Sequence, residues 1–243
     1  MTTRAVSGNI GSGKTTLCNY LNDLLPGCKV YFEKFETNEH LQPFYEYIVN
    51  NAGKGNPYNP HALAVQVGFL MQRVRMEKEV DKEIGEREKL LKELKGPGGS
   101  PTTAETSPEI EIHVIDRSIF EDNEIFAKNQ IDSGMMTLEE YEEYLKIYNK
   151  HIDEILAPDL MIILNQDPKV LHERVIKRGR EMEKGMDLDY LSNLQARYSG
   201  SLEPFLKKKG VVYFRQNPSG PTDPEGANRA ILEAVKKVLL QSN

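Results

Sequence analysis

The sequence predicts one α/β domain, a doubly wound parallel sheet of five strands with helices on both faces. Short apolar runs without polar alternation, helical stretches between them and a glycine-rich loop after the first run predict this class. An apolar run is what a parallel strand covered on both faces requires. The predicted strand segments are Ala5–Ser7, Lys29–Phe32, His113–Asp116, Leu160–Leu164 and Val211–Phe214.

The segments between the strands have helical features. Lys14–Leu25 has leucines at helical spacing, and Pro60–Lys95 is typical of one long helix whose charged second half faces solvent. Pro168 and Pro224 stand where helices are expected to begin. Residues 96–108 are rich in Gly, Pro, Ser and Thr, which predicts a flexible surface insertion within a single domain of residues 1–243.

Composition excludes several classes of protein. A formal net charge of −6 argues against a nucleic-acid partner, which would call for a basic face. No apolar run approaches the roughly 20 residues of a membrane span, and a first motif at Gly8 leaves no room for a targeting peptide. Cys18 and Cys28 have neither metal-ligand nor disulfide spacing. We therefore expect a cytoplasmic protein without a membrane partner.

Residues 8–15 match the pattern G-x-x-x-x-G-K-[ST] and are called the phosphate loop below. Its glycines let backbone N–H groups turn towards phosphates, and the helix that begins at Lys14 directs its positive dipole end at them. Lys14 is expected to contact the β- and γ-phosphates, and Thr15 to bind Mg²⁺. The alternative is a glycine-rich surface turn. The predicted ATP-binding residues here are Gly8, Asn9, Ile10, Gly11, Ser12, Gly13, Lys14, Thr15 and Thr16.

Two acidic residues lie at the carboxyl ends of predicted strands, at the edge where ligands bind. Glu33 can accept a proton from an attacking hydroxyl, although an isolated glutamate at a strand end is more often solvated. Asp116 suits Mg²⁺ or its waters, and the neighbouring Arg117 can stabilise charge on a transferred phosphoryl group. A helix-capping aspartate beside an incidental arginine is the alternative.

Three arginines form the pattern R-x-x-x-R-G-R at Arg174, Arg178 and Arg180, called the lid arginines below. Guanidinium groups this close repel one another unless an anion lies between them, which predicts a lid over a triphosphate; a solvated helix end is the alternative. Gln66 and Arg73, seven residues apart on the long helix, can contact the edge of a base. Taken alone, that pair is better explained by the polar stripe of an amphipathic helix.

Taken together, these motifs resemble the deoxynucleoside kinase family from the phosphate loop to about Tyr198. Glu33 lies nineteen residues after Lys14, as the family's catalytic glutamate does. Asp116-Arg117-Ser118 corresponds to the family's E-R-S motif, although the first residue here is Asp. The seven-residue spacing of Gln66 and Arg73 also matches, and the lid pattern R-x-x-x-R-G-R-x-x-E ends at Glu183.

The resemblance implies a P-loop kinase fold with an arginine-rich lid, ATP and Mg²⁺ as cofactors, and phosphorylation of the 5′-hydroxyl of a deoxynucleoside. It implies catalytic roles for Glu33, Lys14, Arg117, Arg178 and Arg180, and Mg²⁺ binding by Thr15 and Asp116. It implies substrate contacts from Glu33, Gln66, Arg73, Arg117, Asp122, Phe126 and Glu183. In the family, the residues that correspond to Gln66, Arg73 and Asp122 bind the base, and the residue that corresponds to Phe126 lies against it. The residue that corresponds to Glu183 binds the 3′-hydroxyl of the sugar. Tyr58 is the nearest candidate for the family's sugar-contacting tyrosine.

The base and the assembly are further expectations. Arg73 and Asp122 suggest a base with an amino group and ring nitrogens rather than thymine, and we expect deoxyadenosine, then deoxyguanosine or deoxycytidine. The resemblance suggests a homodimer packed through helices such as Thr137–Leu156, or a higher homo-oligomer. The alternatives are a thymidylate-kinase-like nucleoside monophosphate kinase and a non-catalytic accessory protein on the same fold.

Overall fold

The computed structural model describes residues 2–51, 54–94, 112–183 and 185–216 together with Glu233. Within these residues, five strands form one sheet in which each neighbouring pair is parallel. The strands are β1 (Thr2–Gly8), β2 (Cys28–Tyr31), β3 (Ile112–Asp116), β4 (Leu160–Leu164) and β5 (Val212–Gln216). Their order is β2-β3-β1-β4-β5, which confirms the predicted parallel sheet. The predicted fourth strand matches β4 residue for residue, and the others differ only at their ends.

The helices occupy the segments between the strands and continue after β4. They are α1 (Lys14–Leu24), α2 (Leu41–Asn51), α3 (Ala62–Leu94), α4 (Ile119–Glu121), α5 (Lys128–Asp132), α6 (Leu138–Ile152), α7 (Pro168–Arg178), α8 (Leu188–Arg197) and α9 (Glu203–Lys209). π-helical turns at Asp122–Ala127 and Tyr198–Leu202 join α4 to α5 and α8 to α9. Short 3₁₀ turns lie at Phe35–Thr37 and Glu181–Glu183.

Most helix expectations agree with these bounds. The two long predicted helices correspond to α1 and α3, and α7 begins at Pro168 as expected. Pro224 and the insertion predicted at 96–108 lie outside the described residues. None of the helices in the described ranges combines the length and the apolar character that crossing a membrane would require.

Both faces of the sheet are covered by apolar side chains. Ala5 and Met161 point to the face where α3, α6, α8 and α9 pack, whereas Val6 and Ile162 point to the face that α1 covers. All four side chains are fully buried. Burial on both faces explains why β4 is an uninterrupted apolar run rather than an alternating one.

The phosphate loop follows β1 and packs closely against α7. Gly11 has φ +77°, and a Cβ atom there would lie 3.0 Å from the carbonyl oxygen of Leu171 and 3.3 Å from a methyl group of Val175. Gly13, which precedes α1, has φ +96°. Glycine adopts these left-handed conformations without steric cost, so the loop can turn sharply beside α7.

We expect Gly11→Ala to lower the free energy of unfolding by about 2 kcal/mol, because it combines a left-handed backbone with a close contact to α7. Urea denaturation followed by circular dichroism measures this. Gly85→Ala is the matched control, since a Cβ atom at this exposed position of α3 would meet none of the described residues. It should be neutral or stabilise the helix by up to about 1 kcal/mol. Equal stability of Gly11→Ala and the wild-type protein would contradict the tight packing of the loop.

Candidate active site

A cavity of about 320 Å³ lies at the carboxyl edge of the sheet, between the phosphate loop, α2, α3 and the segment after α7. Parallel strands bring their carboxyl ends to one edge, so residues far apart in sequence meet here. The predicted site residues that line it are Ile10, Gly11, Lys14, Thr15, Glu33, Gln66, Arg73, Asp116, Arg117, Asp122, Phe126, Arg178, Arg180 and Glu183.

Gly8, Asn9, Ser12, Gly13 and Thr16 are in or next to the phosphate loop without lining the cavity, and the other two predicted residues outside its lining are Tyr58 and Arg174. The hydroxyl of Tyr58 donates a hydrogen bond of 2.9 Å to Glu140 on α6, and this tyrosine does not line the cavity. Tyr45 lines the cavity instead, because it lies on α2, which covers the cavity. Tyr58 precedes α3 and turns towards α6. Arg174 is exposed beside the phosphate loop, with Nη1 3.4 Å from the carbonyl oxygen of Gly11.

The phosphate loop holds its lysine in a low-dielectric environment. Lys14 Nζ donates to the carbonyl oxygens of Gly8 and Asn9, at 3.0 Å each. Burial, followed by the positive charge of Arg117, lowers the pKa of Lys14 to about 8. The fully buried Asn9 anchors the loop to α8, since its Nδ2 donates to the carbonyl oxygen of Leu191 at 2.9 Å.

Glu33 lies between two buried arginines. Its Oε1 accepts a hydrogen bond of 2.8 Å from Arg73 Nη1, and its Oε2 accepts one of 3.1 Å from Arg117 Nε. Burial alone would raise the pKa of Glu33, but Arg73 and Arg117 outweigh it and bring the pKa down to about 2. The carboxylate is therefore ionised at neutral pH.

Arg117 connects this glutamate to the phosphate loop from a strained backbone position. Its φ of +72° is uncommon for a residue other than glycine. Its Nη1 donates at 3.0 Å both to the carbonyl oxygen of Gly8 and to Oε1 of Glu121. The same Oε1 accepts from the hydroxyl of Tyr198 at 2.9 Å and from the backbone N–H of Gly8 at 3.3 Å.

Sequence reasoning missed Glu121 and Tyr198, although both are fully buried and hold Arg117 in place. An acid four residues after Arg117 is a spacing at which two side chains of a helix can pair. That spacing was the available signal for Glu121, whereas Tyr198 carries no local signal at all.

Thr15 and Asp116 form a possible site for Mg²⁺ beside the phosphate loop. Thr15 Oγ1 donates to Oδ2 of Asp116 at 3.4 Å, and Oδ1 of Asp116 is buried without a hydrogen-bond partner in the described part of the chain. Burial also raises the pKa of Asp116. Hydroxyl and carboxylate oxygens are ligands that Mg²⁺ prefers, so the residues present fit this ion.

Among the residues that line the cavity, three have a buried side-chain oxygen that points to ligand binding. These atoms are Gln66 Oε1, Asp122 Oδ1 and Gln130 Oε1, and none has a partner among the described residues. Arg73 Nε donates to the other oxygen of Asp122 at 2.7 Å. Burial nevertheless raises the pKa of Asp122 to about 7. Gln130 was missed from the sequence.

Two of the lid arginines, Arg178 and Arg180, meet a single carboxylate. Arg178 Nη2 and Arg180 Nη1 donate to Glu183 at 2.6 Å and 3.4 Å, and the guanidinium of Arg180 lies 4.0 Å from the ring centre of Phe35. Phe126 packs beneath Arg117, whose guanidinium carbon is 4.9 Å from its ring centre. Cationic groups thus surround the part of the cavity next to the phosphate loop, where phosphates would be stabilised.

A phosphate loop, oxygen ligands for Mg²⁺ and an ionised carboxylate around one cavity define a P-loop kinase that acts on a small molecule. The family model for deoxynucleoside kinases matches residues 5–240. The chain belongs to the deoxynucleoside kinase family. It is therefore an enzyme that phosphorylates deoxynucleosides, and the family implies ATP as the donor. Membership of this family favours a deoxynucleoside kinase over the two alternatives left open by the sequence, a nucleoside monophosphate kinase and a non-catalytic accessory protein.

Individual relatives agree with this assignment. Deoxyadenosine kinase of Dictyostelium discoideum is 30% identical over 221 residues, 91% of this chain and 74% of that protein. Deoxyguanosine kinase of the same organism is 32% identical over 84% of this chain and 60% of its own. Deoxyadenosine/deoxycytidine kinase of Bacillus subtilis is 27% identical over 82% of this chain and 76% of that protein.

The fold is also similar to that of a solved structure. Deoxyadenosine kinase from M. mycoides with bound dCTP superimposes with a TM-score of 0.68 at 20% sequence identity, covering 97% of this chain and 99% of that one. This similarity shows that the two proteins share the P-loop kinase fold, as the family resemblance implied.

Proposed function

We propose that this enzyme transfers the γ-phosphate of ATP to the 5′-hydroxyl of a deoxynucleoside, with Glu33 as the base and deoxyadenosine as the preferred substrate. The observation that carries the proposal is that Glu33, Lys14 and Thr15 line the same cavity. A nucleoside in that cavity would have its sugar next to Glu33, and a triphosphate on the phosphate loop would face it.

Binding of the triphosphate of ATP depends on positively charged groups that lie near the phosphate loop. Lys14 and the backbone N–H groups of the loop would hold the β- and γ-phosphates. Mg²⁺, held by Thr15 and Asp116 or their waters, would supply charge neutralisation at these phosphates. Arg178 and Arg180 would move from Glu183 towards the γ-phosphate, which leaves Glu183 available to the 3′-hydroxyl of the sugar. Arg174 would support the loop from outside.

In the chemical step, Glu33 acts on the 5′-hydroxyl of the sugar, and Arg73 and Arg117 hold Glu33 in place. Glu33 accepts the proton of the 5′-hydroxyl, the 5′-oxygen forms a bond to the γ-phosphorus, and the bond from that phosphorus to the departing ADP breaks. A carboxylate with a pKa of about 2 is a weak base. Because little proton transfer is needed in a loose transition state, orienting the hydroxyl matters more than base strength, and Arg73 and Arg117 fix that orientation.

The walls of the cavity suggest further sugar contacts. Tyr45 lines the cavity from α2, and we propose that it, rather than Tyr58, is the tyrosine that contacts the sugar. Burial raises the pKa of Tyr45 well above its ordinary value, so the hydroxyl stays protonated and can donate a hydrogen bond.

We expect Glu33→Gln to lower kcat at least roughly 100-fold while nucleoside binding is retained, because the neutral amide loses the ion pairs with Arg73 and Arg117 that orient it and cannot take the proton. A coupled assay of ADP release and calorimetric titration with deoxyadenosine measure the two effects. Glu36→Gln is the control: Glu36 also lines the cavity but is exposed, and the variant should turn over normally. Near-normal turnover in Glu33→Gln would remove Glu33 from the mechanism.

The preference for adenine is supported by the hydrogen-bonding groups of Gln66 and Asp122 in the cavity. Gln66 Oε1 is buried and without a partner among the described residues, so it can accept from an amino group. Asp122, when protonated, can donate to a ring nitrogen. Adenine has both features, whereas thymine has no amino group. The relatives named as deoxyadenosine kinases support the same preference.

We expect kcat/KM to be highest for deoxyadenosine, followed by deoxyguanosine or deoxycytidine, and to be lower for thymidine by up to roughly 10⁴-fold. A steady-state panel of the four deoxynucleosides measures the order, and deoxyadenosine monophosphate should not be an acceptor. A clear thymidine preference would contradict the proposed base contacts. Phosphorylation of the monophosphate in place of the nucleoside would contradict the acceptor itself.

The pKa of Asp122 predicts how activity depends on pH. Below about 7 the carboxyl carries a proton and can donate to a ring nitrogen, whereas above it the carboxylate repels the nitrogen lone pair. We therefore expect kcat/KM for deoxyadenosine to fall as the pH rises through about 7. The charged or titratable groups facing Asp122 are Arg73, Glu33, Glu121, Glu77, Tyr144 and Tyr148.

Asp122→Asn tests this pH dependence, because the amide keeps a donor but does not titrate. The variant should lose the fall in kcat/KM near pH 7 that the wild-type enzyme shows. If the same fall persists in Asp122→Asn, it belongs to another group, of which Lys14 with a pKa of about 8 is the first candidate.

The place where the enzyme acts and the association of its chains are further proposals. We expect a cytoplasmic enzyme, in keeping with Cys18 and Cys28 as free thiols, and one that requires neither nucleic acid nor a membrane. We further propose a homodimer packed through α6, where Leu138 is 60% exposed at the start of the helix.

A further inference from the structure

Gln130 is a buried amide on the wall of the cavity to which no motif pointed. It lies on α5, four residues after Phe126, and only 1% of its surface is exposed. Its backbone carbonyl oxygen accepts from the N–H groups of Met135 and Met136, at 2.8 Å and 3.1 Å. The backbone is therefore held in place, whereas Oε1 of the side chain is buried without a hydrogen-bond partner in the described ranges.

An unsatisfied buried amide is costly. Leaving such a group without a partner costs roughly 1–3 kcal/mol, and an apolar side chain of similar size would fill the same space without that cost. Gln72 and Gln42, by contrast, lie where solvent can reach their amides, and their amide nitrogens donate to the carbonyl oxygen of Lys34 at 2.9 Å and to Glu46 at 2.8 Å. The contrast indicates that the partner of Gln130 is a ligand.

The position of Gln130 identifies the part of the ligand that it meets. It lines the same cavity as Gln66 and Asp122, the other two residues with buried oxygens free to bind a ligand there. We therefore assign Gln130 to the same part of the ligand as Gln66 and Asp122, which is the base in the function proposed above.

We propose that Gln130 determines base specificity by accepting a hydrogen bond from the exocyclic amino group of the base. The proposal rests on the function proposed above and deepens it. An amino group on adenine or cytosine carries two N–H donors. Gln66 and Gln130 together provide two amide oxygens, so both donors can be satisfied inside the buried cavity, whereas one glutamine would leave an N–H unpaired.

The test compares two substrates that differ only in the amino group. Deoxyadenosine and purine 2′-deoxyriboside share the sugar and the purine ring, but the second lacks the exocyclic amino group. In Gln130→Met, a change of similar side-chain length that removes the acceptor, we expect the ratio of their kcat/KM values to fall roughly tenfold below that of the wild-type enzyme. Because both substrates are assayed on one preparation, the ratio does not depend on the fraction of protein that is folded.

Gln72→Met is the matched control, since Gln72 bonds to Lys34 and does not line this cavity. Its ratio should equal that of the wild-type enzyme. If the wild-type enzyme phosphorylates deoxyadenosine but the ratio is unchanged in Gln130→Met, the role proposed for Gln130 is overturned and the proposed function stands. A wild-type enzyme that phosphorylates no deoxynucleoside would overturn the proposed function, and this inference with it.

Discussion

The buried carboxylate of Glu33, held between Arg73 and Arg117, is the interaction on which the rest of the site depends. Arg73 also binds Asp122 and so connects the carboxylate to the base end of the cavity, whereas Arg117 binds the carbonyl oxygen of Gly8 and connects it to the phosphate loop. Removing one member of a buried ion pair leaves an uncompensated charge, which typically costs about 3–5 kcal/mol. The position of the proposed base is therefore coupled to both substrate ends.

The sheet topology makes this network possible. Because β3 and β4 flank β1, Arg117 after β3 lies directly beside the phosphate loop after β1. Arg117 adopts a left-handed backbone conformation there, and Glu121 and Tyr198 hold its side chain. Strain of this kind persists only where the surroundings fix it, and it is common at functional sites. The strained residue is thus part of the reason that the guanidinium can contact both Glu33 and the loop.

Features encoded locally could be predicted from the sequence, and features set by tertiary packing could not. The phosphate loop and β4 each lie within one short segment, so their residue types were sufficient. Tyr45 was missed because α2 has no motif, and only the packed structure turns it towards the cavity. Gln130 was missed because a π-helical turn at Asp122–Ala127 changes which later residues share a face, which a period of 3.6 residues does not describe.

A crystal structure with Mg²⁺, a non-hydrolysable ATP analogue and deoxyadenosine would test the central claim most directly. The account predicts that the 5′-oxygen lies within about 2.6–3.2 Å of a carboxylate oxygen of Glu33, in line with the γ-phosphorus and the oxygen that bridges it to the β-phosphate. A complex in which Glu33 still bonds only to Arg73 and Arg117, with the 5′-hydroxyl bonded to another group, would contradict it.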